Sequence, residues 1–569
     1  MLRAPATAPC DRRRLIVCTT LAALVFASRA WLAQVWGSAL PFWDEWDLEA
    51  VGLYRPWMDG TLRLGDLFQA HNEHRLLLTR LVDLGFFVLY GRWAPWAQIV
   101  LNAALHAATA ATLAALFWPA LTARPRTGFI IGIAVIFSAI CGWQNALLGI
   151  QSQVYFSNLL AVGALAGLTL APPLSRGWWA GWVAALLALF SFAAGVFAAL
   201  AALAVTFVFP PGGRRTLGHW AALTLIAALA AFSLFGFTEP PGQVAFHAQN
   251  LSQYYAVVSR CLGWPHVNSP VAWLLMQLPL VALLVSRCRT RTTLNALDRC
   301  ALALVMFAVL QAAAVAHQRG NGLMDSRPLS RYQDPLLLGA AAQLYAALQL
   351  AISWGRAGRT VTLAWSASAA FGLLTLTTTN LTLNLPYKRA QDIASLAQVR
   401  TYLITQDSTL FTRDPVFPGP HPNPKVVQQV LDDPVLRPVL PLAFFNDYSG
   451  SHGEPPPWII AHGRTLFLVA LAAFFAALVW PPPPSAPAFT RALTPTAPRA
   501  TVAPSAAPVA TTAATPHASA YPPAPPAPTP DSDAAPATAA GPQTPPRPRS
   551  AETPPPAAPA PRGPASAAK

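Results

Sequence analysis

A series of long apolar runs constrains this chain more than any other feature. Each run is close to the length that crosses a bilayer core of about 30 Å, and short polar connections separate them. The runs lie near residues 15–36, 96–118, 128–142, 154–170, 178–193, 195–209, 218–236, 271–286, 300–317, 335–353, 361–379 and 461–480. Because lipid offers no hydrogen-bond partner to the backbone, such runs form helices. The sequence therefore predicts an all-α polytopic membrane protein with about twelve transmembrane helices.

Charge and cysteine usage argue against a nucleic-acid partner and against two kinds of cysteine site. The formal net charge is +15 in a chain that is 54% hydrophobic and 11% charged. Many of the arginines fall in short loops between apolar runs, which is the pattern of membrane topology and not of nucleic-acid binding. The six cysteines are scattered without a Cys-x-x-Cys pair. We therefore expect no nucleic-acid partner, no disulfide framework and no zinc site.

One apolar run decides the orientation of the chain. The run Leu76 to Tyr90 contains Arg80 and Asp83, each of which costs about 2.5–3.5 kcal/mol at the centre of a bilayer. If this run lies at the interface, the arginine-rich connections all face the cytoplasm and residues 37–95 form a long first periplasmic loop with interfacial helices. We expect this arrangement in a bacterial inner membrane, with both termini cytoplasmic. The alternative for the first run is a cleaved signal peptide.

The same patterns divide the chain into four parts. Residues 1–380 are expected to form the multi-span membrane domain, and residues 381–460 a small periplasmic cap with short helices such as PKVVQQVLDDPVLRPVL. Residues 461–480 are predicted to be the last transmembrane helix. Residues 481–569 are rich in proline and alanine, which predicts a disordered cytoplasmic tail.

Three carboxylates directly after the first apolar run are the strongest candidate for a functional site. The segment PFWDEWD places Asp44, Glu45 and Asp47 at the outer face of the membrane in a chain that is otherwise poor in acids. Charged groups beside hydrocarbon are costly, so their presence indicates a site for protons, a metal ion or a polar substrate. The alternative is a solvated loop whose tryptophans mark the interface.

A second polar cluster follows in the same loop, in the segment HNEHR. A helix here would place His71 and His74 on one face, with Glu73 and Arg75 beside them. We expect these four residues to bind a polar substrate. Binding of a divalent metal ion and a purely structural role are the alternatives, and the spacing differs from that of zinc hydrolases.

Two later outward loops supply amides and arginines. Asn145, Gln151 and Gln153 are candidates for contacts with sugar hydroxyl groups, because amides both donate and accept hydrogen bonds; hydrogen bonds between helices are the alternative. The segment HQRGNGLMDSRPLSRYQDP then gathers basic residues on the side where arginine is disfavoured. Their expected partner is a lipid phosphate, with ion pairing to protein carboxylates as the alternative. These residues are Arg319, Arg327 and Arg331.

The arrangement resembles the GT-C superfamily of membrane glycosyltransferases, which take sugars from polyprenyl-phosphate carriers. The likeness rests on the DEWD motif in the long first outward loop, more loosely on SRYQDP, and on the general architecture of residues 12–480. It implies that Asp44 is the general base, with Glu45 and Asp47 as substitutes, and that Arg327 and Arg331 stabilise the departing phosphate. Many members carry a second acidic motif in the next outward loop, and WQNALLGIQSQ lacks one, so we expect no metal cofactor.

The resemblance also implies a reaction and its partners. The donor would be a polyprenyl-phosphate-linked sugar, and the acceptor a glycan, lipid or protein of the cell envelope, with membrane lipids around the chain. The alternatives are a polytopic transporter or lipid flippase and a catalytically silent member of the superfamily. Ionisable residues within the spans and inverted repeats would favour a transporter.

Overall fold

The computed structural model describes residues 12–235, 241–290, 294–323, 327–417, 419–445 and 454–480. The predicted tail, residues 481–569, lies outside the described residues, as does Asp325. The described chain is mostly helical, with one two-stranded hairpin. The helices, in chain order, are α1 (Arg12–Trp36), α2 (Arg55–Met58), α3 (Leu77–Tyr90), α4 (Pro95–Phe117), α5 (Ala123–Ser138), α6 (Trp143–Leu147), α7 (Ser152–Leu170), α8 (Arg176–Leu189), α9 (Val196–Val208), α10 (Leu217–Phe235), α11 (Leu251–Leu262), α12 (Trp273–Met276), α13 (Leu278–Arg289), α14 (Ala296–Arg319), α15 (Leu336–Ser353), α16 (Gly355–Thr379), α17 (Leu385–Thr405), α18 (Leu410–Arg413), α19 (Pro424–Asp432), α20 (Trp458–Ala461) and α21 (Gly463–Val479).

Eight helical segments of the described chain are long and apolar enough to cross a membrane. They are Arg12–Trp36, Pro95–Ala120, Gly149–Leu170, Ala193–Gly213, Leu217–Phe235, Ala296–Arg319, Leu336–Ser353 and Gly355–Thr405. The mostly helical chain and these eight segments are consistent with the predicted all-α membrane protein. Each of the other four predicted runs contains a shorter helix, namely α5, α8, α13 and α21.

Small residues allow the membrane helices to pack closely. A Cβ atom added at Gly167 of α7 would lie 2.6 Å from the Cα atom of Gly181 on α8. Likewise, a Cβ atom at Gly463, where α21 begins, would lie 2.6 Å from the backbone of Ala30 on α1. In a bilayer the hydrophobic effect does not drive helices together, because lipid is as apolar as the helix surface. Close approaches such as these instead stabilise pairs of helices through van der Waals contact. They fix α7 against α8 and the last helix against the first.

The membrane domain and the predicted cap share one continuous helical segment. Helix α16 passes through a π-helical stretch, Asn380–Asn384, directly into α17, so that Gly355–Thr405 forms 51 residues of unbroken helix. At about 1.5 Å per residue it is roughly 75 Å long, more than twice the thickness of a bilayer core. The predicted boundary at residue 380 lies inside this segment.

The first long loop is irregular and contains a hairpin where a helix was expected. The prediction that His71 and His74 share a helix face is wrong. They are paired residues of two short antiparallel strands, β1 (Ala70–His71) and β2 (His74–Arg75). Asn72, in the connecting turn, has a φ of +51°, a conformation that asparagine tolerates and that ends helical geometry. The two imidazoles are still neighbours, because they face each other across the hairpin.

A second hydrophobic core joins this loop to the cap. Trp46 is fully buried and stacks on Phe444, with the ring centroids 5.9 Å apart. Its indole nitrogen donates a hydrogen bond to the Pro41 carbonyl over 2.8 Å. Residues of α17 and α19, including Leu385 and Val427, pack in the same core. Trp46 therefore anchors the acidic motif against the cap.

Candidate functional site

A cavity of about 650 Å³ lies where the first loop meets the ends of several membrane helices. Its wall contains nine of the residues that the sequence analysis selected: Asp44, His71, Glu73, His74, Arg75, Gln151, Gln153, Arg319 and Arg331. The remaining four, Glu45, Asp47, Asn145 and Arg327, do not line it. The volume is within the range of small-molecule binding sites. Early acids and late arginines thus share one cavity.

Asp44 is presented to this cavity by a tight turn. Trp43 adopts a φ of +54°, and its backbone N–H donates to the Pro420 carbonyl of the cap over 2.7 Å. The Asp44 side chain is 47% exposed, with Oδ2 lying 3.7 Å from Nε2 of His71. Burial raises the pKa of Asp44, but the neighbouring His71 and the charge of Arg331 outweigh it and hold the pKa below its ordinary value. Asp44 is therefore an ionised carboxylate at neutral pH.

Glu45 points away from the cavity and holds the loop in shape. Its carboxylate accepts hydrogen bonds from the backbone N–H of Phe42, over 2.6 Å, and of Ile150, over 3.2 Å. Burial raises the pKa of Glu45 to about 7, although these hydrogen bonds and the charge of Lys388 oppose the shift. The residue joins the first loop to the loop before α7.

Asp47 lies beside Asp44 and is partly exposed. One ligand atom from each of Asp44, Asp47 and His71 can be chosen so that all three lie within 4.8 Å of one another. Nε2 of His421, from the cap, is 4.0 Å from Oδ1 of Asp47. The pKa of Asp47 is raised by burial and, further, by the charge of Asp44, against the opposing effect of His71. Carboxylate oxygens and an imidazole are a donor set that a divalent cation accepts.

The hairpin contributes an ion pair to the cavity wall. Nη2 of Arg319, at the end of α14, lies 2.5 Å from Oε1 of Glu73, and Nη1 donates to Gln243 over 2.7 Å. The ring of His74 packs on Phe192, with centroids 4.2 Å apart. Burial lowers the pKa of His74 to about 4, so its imidazole is neutral at neutral pH. Arg319 is thus largely neutralised by protein.

Arg331 differs from Arg319 because its guanidinium has no carboxylate within salt-bridge distance among the described residues. The guanidinium carbon lies 5.3 Å from the ring centre of Trp43 and 5.2 Å from that of Tyr332. Its backbone is fixed by α6 and the adjoining loop: Asn145 donates to the Arg331 carbonyl over 3.0 Å and to Asp334 over 2.8 Å. Asn145 therefore positions Arg331 from outside the cavity.

Arg327 is exposed and lies away from the cavity. Its Nη1 donates to Oδ1 of Asn268 over 3.3 Å. Arg319 pairs with Glu73, Arg327 contacts Asn268 and Arg331 lines the cavity, so the three arginines have three different environments. Of the three, Arg331 is the one whose charge faces the cavity without a carboxylate partner in the described chain.

Several residues of the cavity wall were not predicted from the sequence. They include Trp43, Gln144, Gln243, Gln311, Gln318 and Tyr332. The signal for Gln311 was an amide inside an apolar run, which also fits a hydrogen bond between helices. Glu49, which does not line the cavity, was not predicted either. It is fully buried and accepts hydrogen bonds from Tyr54, Trp93 and Gln98.

Taken together, the cavity wall can accept a proton, face an anion and hydrogen-bond a neutral polar group. The first capacity comes from Asp44, the second from Arg331 and the third from the amides. Apolar side chains such as Phe197 and Leu234 line the same cavity, so a ligand with an apolar part also fits.

Comparisons of the chain with protein-family models, with curated proteins and with solved structures give no significant match.

Proposed function

We propose that the protein is an integral-membrane glycosyltransferase that moves a sugar from a polyprenyl-phosphate carrier to a cell-envelope acceptor. The observation that carries the proposal is the single cavity shared by Asp44 and Arg331, which are far apart in sequence. A base and a cation that has no carboxylate partner among the described residues are the two groups that transfer of a sugar from a phosphate requires. The apolar part of the wall suits the first units of a polyprenyl chain.

In this mechanism Asp44 removes the proton from an acceptor hydroxyl group. The acceptor oxygen attacks the anomeric carbon of the sugar, and the bond from that carbon to the phosphate oxygen breaks. Both electrons of that bond stay with the phosphate, which leaves as an anion on its lipid. Arg331 stabilises this charge through its planar guanidinium. The lowered pKa of Asp44 keeps its carboxylate ionised at neutral pH.

The proposal includes a topology in the inner membrane of a bacterium. The eight span-length segments, with α5, α8, α13 and α21, would make twelve crossings. Helix α3, with Arg80 and Asp83 buried, would lie at the periplasmic interface. Both termini would then be cytoplasmic, and the cavity and cap periplasmic.

Sugar transfer by reconstituted vesicles tests the base. Asp44→Asn keeps the size of the side chain but removes the proton acceptor, so transfer from a lipid-linked donor should fall at least about 100-fold. Asp407→Asn, at an exposed acid of the cap, is the matched control and should transfer at the wild-type rate. Full activity of Asp44→Asn, Glu45→Gln and Asp47→Asn, singly and combined, would eliminate the base from the mechanism.

A transporter or flippase is the second candidate, favoured by one observation inside the spans. Arg29 of α1 is buried and donates to the Phe137 carbonyl over 2.9 Å, with Nε2 of His106 at 3.0 Å. Buried ionisable residues within spans are typical of transport pathways. Movement of a labelled polyprenyl-phosphate sugar between leaflets, without transfer to any acceptor, would favour this candidate.

A further inference from the structure

One side of the cavity is lined by amides and apolar side chains of the membrane helices. Gln311, Ala314, Val315 and Gln318 of α14 all line it, spaced as one face of a helix. Gln311 and Gln318 are seven residues apart, or about 10 Å along the helix axis. Small side chains thus lie between two amides along one wall.

Two of the amides that line the cavity are buried and incompletely hydrogen-bonded. Gln311 is 4% exposed and Gln153 is 5% exposed. The Oε1 atoms of both have no hydrogen-bond partner among the described residues. Both residues line the cavity wall, so the oxygen of each can accept a hydrogen bond from a molecule that enters the cavity.

The charged side chains that line the cavity come from a few segments of the chain. The charged lining residues come from the first loop and from Arg319 and Arg331, whereas α7, α9 and α10 contribute uncharged residues. Gln311 is eight residues before Arg319, which is about 12 Å deeper along α14. An ammonium or carboxylate beside Gln311 would be desolvated without an opposite charge.

We infer that Gln311 and Gln153 form a subsite that binds the hydroxyl groups of an uncharged sugar. The inference rests on the proposed function for the phosphate and lipid of the donor, and it adds the chemical class of the sugar. Hydroxyl groups supply both donors and acceptors to the two amides. Apolar neighbours such as Val315 and Phe197 cover the carbon face of the ring.

Binding by the full-length protein in lipid nanodiscs tests the subsite without any transfer step. The probes are farnesyl phosphate and its glucosyl, mannosyl, galactosyl and arabinosyl derivatives, with glucuronyl and glucosaminyl derivatives as charged counterparts. At least one neutral derivative should bind tenfold or more tightly than farnesyl phosphate. The charged derivatives should lose this advantage.

Variants locate the effect at the two amides. Gln311→Leu and Gln153→Leu should bind the preferred neutral derivative only as well as farnesyl phosphate, whose own affinity stays unchanged. Gln311→Glu should raise the affinity for the glucosaminyl derivative relative to the neutral one. Gln349→Leu, which removes a buried amide of α15 that donates to the Ala120 carbonyl, is the matched control and should bind all probes like the wild type.

The outcomes separate this inference from the proposed function. A wild-type protein that binds every neutral derivative no better than farnesyl phosphate would overturn the subsite. Leucine variants that bind every probe like the wild type would also overturn it, since water would then satisfy the two amides. Leucine variants that lose affinity for farnesyl phosphate and for the neutral derivative equally would overturn it too, because the amides would then not act on the sugar. Sugar-dependent binding that needs Gln311, in a protein that transfers no sugar, would instead leave the subsite standing and refute the transferase.

Discussion

Two adjacent acids, Asp44 and Glu45, have opposite environments. Asp44 lines the cavity beside His71, and the pKa of its carboxyl is lowered. Glu45 is 1% exposed and fixes two backbone N–H groups, and burial raises its pKa to about 7. The sequence places both in one motif and cannot separate them, because which side chain faces inward depends on the turn at Trp43. A hydrogen bond from the backbone N–H of Trp43 to the carbonyl of the distant Pro420 stabilises that turn.

The pH dependence of transfer should distinguish these two acids. With Asp44 as the base, kcat/KM falls only as the pH drops through a pKa below 3.8, so it should stay constant from about pH 8 to about pH 5. The measurement is initial rates of sugar transfer in vesicles across this range. Asp47→Asn should show the same flat profile. An acid limb centred near pH 7 would instead assign the base to Glu45, whose pKa is about 7.

Replacement of Glu45 should lower stability, and in a pH-dependent way. Glu45→Ala leaves the buried N–H groups of Phe42 and Ile150 without their acceptor, a cost of about 1–3 kcal/mol in the free energy of unfolding. The folded protein holds the Glu45 proton more tightly than the unfolded chain. Its contribution to stability therefore falls as the pH rises from 4.5 to about 7.

Thermal unfolding at about pH 5 and about pH 8 measures this effect. The difference between wild type and Glu45→Ala should be larger at the lower pH. Asp407→Ala removes an exposed carboxylate of the cap that accepts hydrogen bonds from Thr409 and Arg413, and its pKa is lowered by those bonds. The difference between this control and the wild type should therefore be the same at both pH values. Equal stability of Glu45→Ala and wild type at both pH values would show that Glu45 does not anchor the loop.

At the scale of elements, hydropathy located the helices and missed the hairpin. Every predicted run contains a helix, because in lipid the backbone must satisfy itself within the segment. The interruption between α8 and α9 falls close to the division between the predicted runs 178–193 and 195–209. Strands of two residues have no periodicity to detect, so the hairpin at His71 depends on a turn that only the fold reveals.

The close contact between α7 and α8 gives a prediction for helix packing. Gly167→Ala would place a methyl group 2.6 Å from the Cα atom of Gly181, so the helices must separate. Overpacking of this kind costs about 1–3 kcal/mol. Thermal unfolding in nanodiscs should show a clear loss of stability. Gly163→Ala, one turn away on α7, meets Ala184 at an ordinary 3.7 Å and should be tolerated. Equal stability of the two variants would contradict the packing described.

At the scale of the whole molecule, the sequence predicted that the first loop and the later arginines form one site, but not which contacts each residue makes. The predicted topology placed Asp44 and Arg331 on one side of the membrane, and both line the cavity. The role of each arginine could not be predicted, because Arg319 finds Glu73 only after the hairpin forms. Asn145 was expected in the site, and its position behind Arg331 follows from the fold around α6.

The proposed orientation can be tested with reporters of location. A reporter fused after Ser451 should be periplasmic and one fused after Ala500 cytoplasmic, because α21 lies between these positions. Both fusion points lie outside the described residues. The readout is a pair of enzymes, one active only in the periplasm and the other only in the cytoplasm. The reverse pattern would move the cavity to the cytoplasmic side and contradict the proposed donor site.

The 51-residue segment Gly355–Thr405 joins the membrane helices to the cap through one piece of backbone. Lys388, in α17, lies 5.2 Å from the ring centre of Phe42, next to the acidic motif. Pro386 and the π-helical stretch Asn380–Asn384 lie just before Lys388, and helices bend most readily at such features. A displacement of the cap is therefore expected to bend the segment at these residues, so that α17 moves while α16 keeps its place among the membrane helices.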